Sequence, residues 1–138
     1  MRFVARLPRA FAVTALLAPA AGLSGCSSSS SGGGPVIDNL QVASTFTVSG
    51  LVYTSQGTIS YHDNSAAVTM LHTKIPLYTL DAKSNVMDGK QTATNSPIVL
   101  GFQSPNMVAS GTKVEIDVSV IDANGAESNV VVEQIAVP

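Results

Sequence analysis

The chain has 138 residues, 12% of which are charged, and a formal net charge of −2. All three arginines lie in the first nine residues, so the chain after residue 26 carries four lysines against nine acidic residues, a net charge of −5. That balance argues against nucleic acid and against electrostatic adhesion to anionic lipid. The single cysteine excludes an intramolecular disulfide, so the fold has to rest on hydrophobic packing and backbone pairing.

Residues 1–25 have the three parts of a secretory signal peptide. Arg2, Arg6 and Arg9 form a positively charged start, and an apolar stretch follows over residues 10–21. This stretch is shorter than the roughly 20 residues that a membrane-spanning helix needs, and Pro19 interrupts it. We therefore expect an export signal rather than a transmembrane helix.

The signal ends in Leu23-Ser24-Gly25-Cys26, which resembles the lipobox of bacterial lipoproteins at all four positions. The resemblance implies cleavage before Cys26 and acylation of that cysteine with fatty acids such as palmitate. It places the protein in the cell envelope. The next residue is Ser27, not the Asp that retains such proteins at the inner membrane, so the resemblance favours the outer membrane. The alternative is an ordinary secreted protein with a spare cysteine.

Residues 26–34 are predicted to be a lipidated cysteine followed by a flexible linker of serine and glycine. The eight residues from 27 to 34 have a reach of about 16 Å as a random coil. The 104 residues from 35 to 138 are enough for one hydrophobic core but not for two domains.

Alternation of apolar and polar residues predicts strands along the rest of the chain. In the first half we expect strands at 36–43, 46–53 (with a bulge or bend at Gly50), 58–62 and 66–74, turns at 54–57 and 62–65, and an edge or crossing segment at 75–78. In the second half we expect a loop at 81–96 with a short strand near Val86-Met87, a strand at 97–102, a loop at 103–111, and a closing hairpin at 114–137. The hairpin is the strongest signal, because Val114, Ile116, Val118 and Val120 alternate with polar residues.

Seven or eight short strands separated by turns predict an all-β fold, a single β-sandwich. Residues 121–129 are similar to the final hairpin of bacterial immunoglobulin-like and fibronectin-like domains. The resemblance covers the last 30 residues and implies an immunoglobulin-like sandwich over residues 35–138. The chain lacks the tryptophan and the cysteine pair of antibody domains, and a small β-barrel remains the alternative.

No catalytic residues are predicted. His62 and His72 are the only histidines, and no serine lies in a recognisable nucleophile context. Two histidines without a third clustered ligand also make a poor zinc site. We interpret both as surface or strand residues and expect no enzymatic activity.

The acidic turns give a calcium hypothesis. An even number of strand reversals between Asp63 and Asp122 would bring Asp63, Asn64, Asp122 and Asn124 to one end of the sandwich, where their oxygens suit calcium. The alternative is that these residues serve turn geometry alone.

The sequence therefore predicts a membrane-anchored, non-enzymatic envelope lipoprotein. Its sandwich is expected to be a structural or protein-interaction module, with another envelope protein as partner and no cofactor beyond the lipid on Cys26. The alternative is an adhesion or ligand-binding module that depends on glycan or calcium. The aromatics after residue 35 number five and are interpreted as core or half-buried strand residues, which weakens the glycan hypothesis.

Overall fold

The computed structural model describes residues 33–85 and 87–138. Within them the chain forms eight β-strands and one short 3-10 turn at Pro76–Tyr78. The strands are β1 (Val36–Val42), β2 (Thr47–Ser49), β3 (Val52–His62), β4 (Val68–Ile75), β5 (Leu80–Ser84), β6 (Thr92–Gln103), β7 (Lys113–Asp122) and β8 (Val131–Ala136). None of the helical segments in this part of the chain is long and apolar enough to cross a membrane.

The strands form two antiparallel sheets. In the first, β1 and β2 pair with one side of β3 and β6 pairs with the other; in the second, the order is β5-β4-β7-β8. The segment before β2 also forms a parallel bridge, Thr45 to Ala136, with the end of β8. One sheet contains β1, β3 and β6, and the other contains the final hairpin of β7 and β8. This division of the strands between two sheets is that of immunoglobulin-like sandwiches. The predicted all-β immunoglobulin-like fold is confirmed.

The core lies between the two sheets. On β7, Val114, Ile116, Val118 and Val120 are fully buried, as their alternation predicts. They face apolar residues of β3 and β6, including Ile59 and Leu100. The period of two therefore identifies the buried face of this strand.

An aromatic cluster fills one part of the core. Tyr53 and Phe102 are stacked with ring centroids 4.9 Å apart, and Phe46 meets both rings edge-on. Tyr78 stacks on Phe102 from the half-buried rim at 4.6 Å. Tyr61, on β3, is also fully buried. All five aromatics after residue 35 thus lie in the core or against it, as interpreted from the sequence.

The predicted turn at 54–57 is wrong. These residues lie in the middle of β3, and the reversal occurs earlier, where Gly50 has φ of +61° between β2 and β3. Gly57 is required for close approach instead: a Cβ there would lie 2.6 Å from Val42 Cγ1 and closer still to Gln41 O. A glycine inside a strand marks such an approach as readily as it marks a turn.

Two further expectations need correction. The edge or crossing segment expected at 75–78 is a connection within one sheet: Ile75 ends β4, and Pro76–Tyr78 form the 3-10 turn that joins β4 to β5. The predicted loop at 81–96 contains most of β5 and the start of β6. Its polar composition hid these strands, since both run along sheet edges where most side chains face solvent. Of the short strand predicted near Val86-Met87, Val86 lies outside the described residues and Met87 lies in a bend.

Candidate functional site

The lipobox residues Leu23, Ser24, Gly25 and Cys26 lie outside the described residues. The sandwich begins close behind them in sequence, with β1 starting at Val36. Lipidation of Cys26 and the division of the chain at residues 25 and 34 therefore stay predictions.

The end of the sandwich where the chain enters carries two aspartates with matching geometry. Asp63 Oδ1 accepts hydrogen bonds from the backbone N–H groups of Ser65 (2.6 Å) and Ala66 (3.2 Å). Asp122 Oδ1 accepts them from Asn124 (2.9 Å) and Ala126 (2.7 Å). Each carboxylate thus closes the turn that follows its strand, which is the turn geometry expected of aspartate.

The two turns meet. Ala123 N donates to Ala67 O at 2.8 Å, and the carboxyl groups of Asp63 and Asp122 lie within hydrogen-bonding reach of each other. Both side chains are almost fully buried, with 3% and 2% of their surface exposed. Four reversals separate β3 from β7, so the even count placed both residues at the same end of the sandwich.

The calcium hypothesis stays a prediction for these residues. Asp63 and Asp122 come together, whereas Asn64 and Asn124 are exposed on the outer side of the turns. Among residues 33–85 and 87–138, no group of three His, Cys, Asp or Glu side chains could hold a metal ion. The buried pair supplies two convergent oxygen atoms, fewer than the six to eight ligands typical of calcium.

Burial and hydrogen bonding shift the pKa of Asp63 in opposite directions. Burial raises the pKa of Asp63, but the hydrogen bonds from Ser65 and Ala66 outweigh it and lower the pKa below its usual value. Two residues earlier on β3, burial raises the pKa of the Tyr61 hydroxyl, and the Asp88 carboxylate adds to the increase. This end of the sandwich is therefore a buried polar region next to the hydrophobic core.

A second polar cluster lies on the outer face of the other sheet. His72 is 4% exposed, and its imidazole lies between two carboxylates: Nδ1 is 2.6 Å from Glu127 Oε1 and Nε2 is 2.7 Å from Asp81 Oδ1. Ser119, the cross-strand neighbour of His72, donates its hydroxyl to the same Glu127 oxygen at 2.5 Å. An imidazole with an acceptor at each nitrogen is satisfied when both nitrogens carry protons.

The cluster does not have the geometry of a hydrolytic triad. In a triad, the serine hydroxyl donates to the imidazole, whereas Ser119 donates to Glu127. The other histidine, His62, is half-buried on β3 and bonds Asp38 at 2.8 Å. It is ten residues from His72 in sequence but lies in the opposite sheet. The two histidines are thus not brought together.

Sequence reasoning missed the partners of His72. Asp81 fell in a segment interpreted as a loop, and Glu127 lies in the turn region after β7. One feature could have pointed to them: His72 and Ser119 lie on the outer face of adjacent strands, and a buried histidine there requires another segment of the chain to pack over it. Which loop provides that cover depends on the path of residues 123–130, which the pattern of residues does not determine.

No protein-family model matches the chain, and no curated protein matches it. Among solved structures, the chain is similar to the PKD1 domain of Vibrio anguillarum Epp, with 14% sequence identity. The similarity covers 75% of this chain and 95% of that domain, with a TM-score of 0.41. It concerns the fold alone, and no functional statement about the present chain follows from it.

Proposed function

We propose that the protein is a lipid-anchored, non-enzymatic lipoprotein of the cell envelope, whose sandwich is a structural or protein-interaction module. The observation that carries the proposal is the order of features along the chain. A lipobox ending in Cys26 is followed by a serine and glycine run and then, from Val36, by a single sandwich. An anchor, a flexible spacer and a rigid domain together hold a protein surface at a short distance from a membrane.

The charge of the chain supports anchoring by lipid rather than by electrostatics. A net charge of −5 after residue 26 repels anionic headgroups, so membrane attachment has to come from buried acyl chains. Each buried methylene contributes about 0.8 kcal/mol, and two or more chains hold a protein stably. The outer membrane is the membrane that Ser27 favours.

The two polar clusters support a non-enzymatic role. Asp63 and Asp122 each hold a turn through Oδ1, and Glu127 and Asp81 together surround His72. In both clusters the polar atoms are used to join one loop to another part of the fold. Their hydrogen bonds account for structure, and the His72 cluster does not place a nucleophile beside a base.

A sheet edge is the best candidate for partner contact. Among the described strands, β6 pairs only with β3, so one side of this 12-residue strand presents free N–H and C=O groups. The edge at β1 is different, because the Asn129 side chain exchanges hydrogen bonds with both backbone groups of Ile37. The end of β8 is likewise covered, since Ala136 bonds Ser44 and Phe46. An open edge can accept an extended strand from another protein.

The surface beside β6 suits an extended apolar segment. Val99 is 60% exposed and lies, with Pro97, Ile98, Gln56 and Gly57, around a cavity of about 300 Å³. We infer that an extended strand of another envelope protein pairs with β6 and places an apolar side chain against Val99. Strand addition would supply affinity from the backbone and specificity from this cavity.

The experiment is crosslinking in intact membranes followed by capture of the lipidated protein. Recovery of one stoichiometric envelope protein supports the proposal, and its loss in Val99→Lys places the contact at β6. Leu77→Lys is the matched control, since Leu77 is also 60% exposed but lies on the 3-10 turn. Equal loss in both variants would contradict the β6 contact, and recovery of no partner from wild type would contradict the interaction role.

A further inference from the structure

The Asp63 and Asp122 carboxyl groups each have one satisfied and one unsatisfied oxygen. The Oδ1 atoms accept the turn hydrogen bonds, whereas both Oδ2 atoms are buried and lack a hydrogen-bond partner among the described residues. Buried polar atoms without a partner are uncommon, and each one calls for a physical explanation. Here the two atoms belong to carboxyl groups in reach of each other.

Two ionised carboxylates cannot share such a site without a positive charge between them. Burial removes the water that would screen their repulsion, and like charges in contact force one member of the pair to bind a proton or a cation. The charged groups nearby do not neutralise the pair. On the segment before β6, Lys90 bonds Asp88 at 3.4 Å, and on β3 His62 bonds Asp38.

A proton fits the site better than a metal ion. Calcium takes six to eight oxygens, and the two shielded Oδ2 atoms have no third carboxylate or histidine beside them in the described part of the chain. A proton needs no additional ligand and no space. It converts one unsatisfied acceptor into a donor and thereby satisfies both atoms at once.

We propose that Asp63 and Asp122 share one proton between their Oδ2 atoms in the folded protein at neutral pH, as a carboxylic acid–carboxylate pair. The pair then joins the turn after β3 to the end of β7 by a hydrogen bond that exists only while the proton is bound. The proton comes from solvent on folding and returns to it when the pair ionises fully.

The pair also controls where the linker meets the domain. Ser65 Oγ lies 2.5 Å from Gly33 O and 2.8 Å from Asp63 Oδ1, so the turn that holds Asp63 also holds the last linker residues. Loss of the shared proton leaves two repelling carboxylates behind this turn. Raising the pH therefore loosens the junction between the linker and the sandwich.

The effect on stability has a definite sign. Above the ordinary carboxyl pKa of about 4, the unfolded chain has both aspartates ionised, while the folded pair keeps one proton. The folded state thus binds one proton more, and the unfolding equilibrium constant rises about tenfold per pH unit until the pair releases its proton. The stabilisation is fully present at pH below the carboxyl pKa of the unfolded chain. It is lost as the pH rises to the point where the folded pair releases its proton.

The test is urea unfolding of the full mature protein between about pH 5 and 6, where carboxylates are ionised and histidine is protonated in the unfolded chain. The unfolding equilibrium constant of the wild type should rise about tenfold per pH unit, apart from smaller contributions of other groups that the variants share. Asp63→Asn should abolish it, because the asparagine Oδ1 still accepts the turn bonds and Nδ2 donates permanently to Asp122. Asp88→Asn, in an exposed neighbouring carboxyl, should keep it.

Two further measurements keep the proposal falsifiable. If Asp63→Asn fails to fold, Asp122→Asn provides the same replacement from the other side, and calorimetry of wild type at pH 5.5 should show one proton released on unfolding. A pH-independent equilibrium and no released proton would overturn the proposal. So would a rise in wild-type melting temperature with calcium over chelator that disappears in Asp63→Asn, because that result identifies a shared cation.

Discussion

His72 Nδ1 lies 2.6 Å from Glu127 Oε1, and 55 residues of sequence separate the two. The contact brings the turn region after β7 over the outer face of the sheet that contains β4. Ser119 and Asp81 complete the polar surroundings of the imidazole, from β7 and β5 respectively. Four segments of the chain are therefore joined by one buried histidine.

Glu127→Ala should destabilise the fold. The substitution leaves the buried Nδ1 of His72 and the Ser119 hydroxyl without their acceptor, and an unsatisfied buried donor costs about 1–3 kcal/mol. Equilibrium unfolding in urea measures the change. Glu115→Ala is the control, since Glu115 is exposed on β7, and its effect should stay within about 0.5 kcal/mol. Equal effects of the two substitutions would show that the cluster does not stabilise the loop.

The same cluster predicts the acid side of the stability curve. The hydrogen bond from His72 lowers the pKa of Asp81. Burial raises the pKa of Glu127, but the hydrogen bonds from Ser119 and His72 outweigh the effect of burial, so the pKa of Glu127 is also lowered. A carboxyl group whose pKa is lower in the folded protein than in the unfolded chain stabilises the fold at pH above the unfolded pKa. This stabilisation is lost as the pH falls through the folded pKa.

His72→Gln removes the imidazole that bonds both carboxylates and should make this loss shallower between about pH 4.5 and 3. The measurement is the urea midpoint of unfolding as a function of pH. Lys113→Gln removes a cation elsewhere and should leave the acid limb as steep as in wild type. A His72→Gln curve parallel to that of wild type would contradict the assigned role of His72.

The fold followed from the sequence where burial follows a simple period. Val114 to Val120 alternate, and the structure buries every apolar member of the series. Gly57 shows where this reasoning fails, because a glycine in a polar run indicates a turn as readily as it indicates two backbones in close contact. The two cases are distinguished only by the pairing of β1 with β3, which brings the backbone of Gln41 against Gly57.

Gly57→Ala should destabilise the protein by about 1–3 kcal/mol. The added Cβ meets the Gln41 carbonyl oxygen, which is backbone and cannot rotate away as a side chain does. Gln56→Ala is the neighbouring control, because Gln56 is exposed on the same strand. Thermal unfolding of both variants measures the difference, and a well-tolerated Gly57→Ala would contradict the tight β1–β3 contact.

Tyr53→Phe should cost about 1 kcal/mol while leaving the aromatic stack intact. The Tyr53 hydroxyl accepts a hydrogen bond from Val108 N at 2.9 Å, and its removal leaves that N–H partly buried without its acceptor. Tyr78→Phe changes the same atom on the other ring that stacks on Phe102 and should have a smaller effect. Free energies of unfolding from urea titration compare the two. Equal losses would mean that the Val108 contact contributes nothing.

The candidate site was only partly predictable. The even number of strand reversals placed Asp63 and Asp122 at one end, which depends on strand count and not on exact boundaries. The burial of both Oδ2 atoms without a hydrogen-bond partner is a property of packing, because it follows from how the two turns meet at Ala67 and Ala123. The surroundings of His72 were unpredictable for the same reason, since they depend on the path of a loop.

The central claim is that Cys26 anchors the sandwich to a membrane. Mass spectrometry of the N-terminal peptide of the protein purified from membranes tests it most directly. The account predicts a peptide that begins at Cys26 and carries the added mass of acyl chains, and a Cys26→Ala protein that appears in the soluble fraction. An unmodified N-terminal peptide, or membrane retention of Cys26→Ala equal to that of wild type, would contradict it.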